Sequence, residues 1–156
     1  MASSDLTEPL ELIRAGLNDA EHAIRQYPAE TLAVYESNVA ILGRRSFEWA
    51  MAVVPSLRVE DVAMIDRYML AMSFIAAWYH LHGDKARRDS AAQSGATLVS
   101  AVGFDDIFVF KAMLHYEGEW RRLFRGAGIG TSSAAGCASL VLLASVGGIT
   151  WLASAM

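Results

Sequence analysis

Between Tyr68 and His82 the chain reads YMLAMSFIAAWYHLH, without an Asp, Glu, Lys or Arg. A helix that is apolar on every side is buried in protein or in lipid. This segment is too short to cross a bilayer, which takes roughly 20 mostly apolar residues. It is therefore expected to be the central helix of a bundle. The spacing extends that helix from Val59 to His82. Ser56 is the expected cap, and Glu60 and Asp61 fall in the first turn, where the helix dipole favours anions. Gly83 is placed to end it in a left-handed turn.

Working outward, the same period recurs on both sides. Leu10, Ile13, Leu17, Ala20 and Ile24 alternate by three and four, which is one helical stripe, and Pro28 stops it. A second helix is expected from Pro28 or Ala29 to Val54, with Leu32, Tyr35, Val39, Leu42, Ser46, Trp49 and Val53 on its stripe, Ser46 being its one polar interruption. Gly43 in its middle costs about 1 kcal/mol against alanine, and close approach of another backbone is the expected reason for it. Arg44 and Arg45 read as solvated. Asp84 can cap a fourth helix, Lys85 to Val102, whose small residues suit tight packing. Asp105 can cap a fifth, Asp106 to Arg125, with Val109, Met113, Tyr116, Trp120 and Leu123 as its apolar stripe. No stretch alternates with period two, so the fold class is all-α, a bundle of about five helices. The core is expected around Leu17, Leu42, Trp49, Met72, Phe74 and Trp78.

Beyond the fifth helix the chain changes character. Residues 126–156, GAGIGTSSAAGCASLVLLASVGGITWLASAM, carry no charge. The expected division is a helical domain over 1–125, a Gly/Ser-rich linker over 126–133 and a C-terminal apolar helix over 134–156. That helix is long enough to span a membrane, although its many small residues make insertion marginal. Trp120, Arg121, Arg122, Phe124 and Arg125 just before it form the expected membrane interface. The positive-inside rule then places the N-terminal domain in the cytoplasm. Gly136, Ser139, Ala144, Gly147 and Gly148 would give the small-residue surface through which membrane helices associate.

Composition narrows the partners. Apolar residues make up 54% and charged residues 19%, the profile of a globular chain. A net charge of −4 supplies no basic field for nucleic acid. One cysteine, Cys137, leaves no internal disulfide framework. His115 and Glu119 stand i, i+4 and are the weak metal candidates, with an exposed ion pair as the plainer reading. His80 and His82 point to different sides of their helix. Trp49, Phe74, Trp78, Tyr79 and Tyr35 would line either a core or a hydrophobic pocket. No P-loop, G-x-S-x-G or H-E-x-x-H occurs.

The expected function is that of a non-enzymatic, single-pass, tail-anchored membrane protein. It would serve a larger complex as an accessory, scaffold or assembly subunit, without catalytic residues or cofactor. Its expected partners are membrane lipid and other membrane subunits, or its own C-terminal helix in self-association. Two alternatives stand beside it. One is a pore-forming effector stored as a soluble bundle. The other is a soluble protein that buries its last helix and binds a hydrophobic ligand.

Overall fold

The structure, a computed structural model, describes residues 6–43 and 57–130. Among them stand five helices and no strand: α1 (Thr7–Ile24), α2 (Ala29–Gly43), α3 (Val59–Leu81), α4 (Lys85–Ser100) and α5 (Asp106–Gly126). The chain falls into two compact units, Met1–Arg121 and Arg122–Met156. Trp49, Arg44, Arg45 and Ser56 lie outside the described residues, as does everything after Gly130.

Local chemistry sets the helix ends. Asp84 Oδ1 accepts from the Arg87 backbone N–H at 3.0 Å, and Asp105 Oδ1 accepts from that of Phe108 at 2.9 Å. Each carboxylate satisfies a donor that the first helical turn leaves orphaned. α3 starts on a different device. Asp61 accepts from the Arg58 backbone at 3.3 Å and from its guanidinium at 3.0 Å, and the hydrogen bond from that side chain holds the carboxyl below its usual range. Gly83 takes φ +72°, so Asp84 N can donate to Tyr79 O and Gly83 N to His80 O. Those two bonds close α3 as a Schellman end.

Within the first unit, α3 is the hub, packing against α1, α2 and α4. Its middle is buried: Leu70, Ala71, Phe74, Ala76 and Ala77 have almost no exposed surface. Phe74 lies 5.0 Å, ring centre to ring centre, from both Tyr35 of α2 and Trp120 of α5. Tyr27, in the turn after α1, stacks on Trp78 at 5.1 Å. The expected core positions Leu42 and Phe74 are buried, while Leu17, Met72 and Trp78 are half-buried. Of the aromatic set, Tyr35 and Phe74 are buried in the core, Trp78 and Tyr79 are half-buried, and Trp49 lies outside the described residues.

Two glycines admit close helix contact. A Cβ on Gly16 would come within 2.9 Å of the Tyr68 ring, and one on Gly95 within 2.8 Å of Met113 and 3.1 Å of Met72. At Gly43 the neighbour is a side chain, where a backbone was expected: an added Cβ would meet Asp66 Oδ2 at 2.8 Å.

In the second unit, the last turn of α5 closes with another Schellman pair. Ile129 N donates to Phe124 O at 2.8 Å and Gly128 N to Arg125 O at 3.0 Å, with Gly128 at φ +77°. Gly126, the expected stop, is the helix's last residue, and Gly128 supplies the left-handed conformation. Among the described residues, no helix is long and apolar enough to cross a membrane.

Candidate functional site

The polar groups that α3, α4 and α5 bring together at one end of the first unit centre on Glu117. This carboxylate is only 3% exposed, and a buried carboxylate stays charged only when partners replace its water. Three residues supply them. His80, in the last turn of α3, approaches Oε2 with Nδ1 at 2.9 Å. Arg121, one turn further along α5, brings Nε to the same oxygen at 3.2 Å. Arg88 of α4 faces Oε1 with Nη1 at 3.6 Å, beyond hydrogen-bond reach.

In the tautomer that carries its hydrogen on Nδ1, His80 donates to this carboxylate. Arg88 Nη1, 3.4 Å from the same nitrogen, is then a second donor beside it. Arg88 also pairs with Asp89 at 2.8 Å, and Lys85 reaches Asp89 at 2.6 Å. The hydrogen bond from Lys85 holds the Asp89 carboxyl below the ordinary range. The cluster thus fastens three helices through one shared anion.

Two further polar ties have the same character. Glu21 of α1 accepts from the Tyr35 hydroxyl of α2 and from Arg67 Nε of α3, each at 2.6 Å. Burial, followed by that hydrogen bond, pushes the Tyr35 phenol above its usual range. Asp66 of α3 is buried and accepts from the Tyr116 hydroxyl of α5 at 2.9 Å.

The sequence candidates fall in several places. His115 is exposed and Glu119 half-buried; His115 has its ring 6.0 Å from that of Tyr116. Among the described residues, no group of three His, Cys, Asp or Glu gathers as metal ligands. Of the expected membrane-interface residues, Trp120 has no exposed surface. Its indole Nε1 donates to Leu70 O at 3.0 Å and approaches Ser73 Oγ at 3.2 Å. Phe124 is likewise fully buried. Arg121 is engaged with Glu117, whereas Arg122 and Arg125 are exposed. Gly136, Ser139, Ala144, Gly147 and Gly148 lie outside the described residues. His80 does join a cluster, but through Glu117 rather than through His82, whose Nδ1 turns to Trp78 O at 2.8 Å.

Glu117 itself is a residue the sequence pattern passes over. The available signal is its position four residues before Arg121 and beside Tyr116, at the edge of the α5 apolar stripe. An opening of about 430 Å³ lies elsewhere, between α4 and the start of α5. It is lined by Gln93, Ala96, Thr97, Ser100, Asp106, Ile107, Phe110 and Lys111. No protein-family model, curated protein or solved structure matches the chain.

Proposed function

We propose that the protein is a membrane-tethered, non-enzymatic helical module that serves as an accessory or scaffold subunit. The observation that carries the reading is the charge-free run over 126–156, entered directly from a helix whose last turns expose Arg122 and Arg125. Cations beside an apolar run of that length orient it with the preceding domain in the cytoplasm. Burial of Trp120 and Phe124 leaves the two exposed arginines as the interface residues. The small residues of the tail, Gly136 through Gly148, then offer a packing surface to a partner helix in the bilayer.

The polar chemistry of the bundle supports a structural role. Glu117, Glu21 and Asp66 each join side chains from different helices. The test is extraction of the full chain from membranes at alkaline pH, combined with protease protection of intact cells. A tethered protein stays in the pellet and loses its N-terminal domain only after lysis. Release into the supernatant removes the reading.

A further inference from the structure

We infer that the outer face of α5 between Ile107 and His115 lies on an anionic bilayer surface; this rests on the tethering reading above. Monomeric proteins scatter exposed apolar residues singly, so contiguous ones mark a binding face. Ile107, Phe110 and Leu114 stand three and four residues apart, on one side of the helix. They are 66%, 44% and 43% exposed, and Phe108 is also exposed. Lys111 and His115, exposed as well, are interleaved with them.

Charge selects the occupant. Beyond Asp106, neither carboxylate of α5 is exposed: Glu117 is buried and Glu119 half-buried. The exposed charges of the later turns, Arg122 and Arg125, are both cations. Asp105 and Asp106 precede the patch, and Asp105 is engaged as the cap of the helix. Asp106 borders this face, lining the opening with Ile107, Phe110 and Lys111, and beyond it the exposed charges of α5 are cations alone. Apolar side chains mixed with such cations are the pattern of a helix lying in the headgroup layer of anionic lipid. A protein partner fits less well, because lysine is depleted at the centre of protein interfaces. On lipid, the Lys111 stem can lie along apolar surface while its ammonium reaches a headgroup. The uncharged run that follows α5 would bring this helix to a bilayer without a separate recruitment step.

The test uses the full chain with Cys137→Ser, so that a single introduced cysteine can carry an environment-sensitive dye. One sample bears it at Phe110→Cys, the other at Glu36→Cys on the exposed side of α2. Both are reconstituted into phosphatidylcholine vesicles with and without phosphatidylserine, and the same samples are extracted at alkaline pH. In extraction-resistant samples with phosphatidylserine, the dye at 110 shifts to the blue and is quenched by spin-labelled lipid, while the dye at 36 stays accessible to iodide. Lys111→Glu weakens the shift at least about fivefold, as expected when one cation leaves an anionic surface. Iodide access at 110 in an extraction-resistant sample overturns the inference. So does shielding from iodide without lipid quenching, which means a protein covers the face. If alkaline extraction releases the protein, the tether has failed, and vesicle flotation then decides the α5 face by itself. Flotation that needs phosphatidylserine and is lost in Ile107→Ser/Leu114→Ser sustains it, and no flotation overturns it.

Discussion

Trp120 and Phe74 meet edge to face, with ring centres 5.0 Å apart and planes at 89°. Such a pair contributes about 0.5–1.5 kcal/mol beyond the area it buries. The polar end of the indole is satisfied as well, by Leu70 O and Ser73 Oγ. The tryptophan that the sequence offers as a membrane anchor is thus a keystone between α3 and α5. Trp120→Phe should cost about 1–3 kcal/mol, since the hydrogen bond is lost and the ring shrinks. Trp120→Ala should cost about 3–5 kcal/mol. Urea unfolding followed by circular dichroism reads both, and a Trp120→Ala protein as stable as the parent would contradict the packing described here.

Gly16 and Gly118 make opposite predictions for the same substitution. Both sit inside helices, where replacing glycine by alanine favours the helix by about 0.5–1 kcal/mol. At Gly118 nothing lies within 4 Å of the new methyl group, so Gly118→Ala should stabilise by about that amount. At Gly16 the methyl meets the buried Tyr68 ring at 2.9 Å, and a ring so enclosed has little room to move. Overpacking of that kind costs about 1–3 kcal/mol, which outweighs the helical gain. Thermal melts of the two variants should move in opposite directions.

Much of this arrangement is legible in the sequence, and the rest fails for identifiable reasons. Helix ends rest on local chemistry, so Gly83, Asp84 and Asp105 announce them wherever the chain goes. The central helix is equally plain, because a charge-free face all round leaves no surface for solvent. Glu117 is different. Its burial depends on His80 and Arg88, which reach it from other helices, and no spacing within α5 reports that. Trp120 fits two readings by sequence, as part of a stripe and as a neighbour of arginines. Only the approach of Leu70 and Phe74 puts it inside.

The Glu117 cluster should respond unequally to loss of its members. Two arginines and His80 share one carboxylate, so removing one leaves the carboxylate with two partners. Glu117→Gln instead strips the partner from all three while keeping the shape. Its cost should be about 1–3 kcal/mol, held down because Arg88 and Arg121 retain some access to water. Arg121→Met should cost less than Glu117→Gln. Chemical denaturation of the two variants gives the ranking, and an Arg121→Met protein less stable than Glu117→Gln would show that the charge is not shared.

Buried phenols predict how the fold yields to alkali. Burial pushes the Tyr68 hydroxyl up to about 12, and it moves Tyr27 and Tyr35 in the same direction. An unfolded tyrosine ionises near pH 10. Between that pH and the folded value, the unfolded chain has lost a proton that the folded chain still holds, so stability falls as pH rises. The contribution is fully present below about pH 10 and gone once the folded group ionises. Tyr68→Phe removes one such group without removing the ring that fills the space beside Gly16. Stability at neutral pH should change little, while its decline from pH 10 to 12 should lessen by up to one proton's worth of slope. Urea midpoints measured across that range read the difference. An unchanged alkaline slope would mean that the Tyr68 hydroxyl is open to water in the folded state.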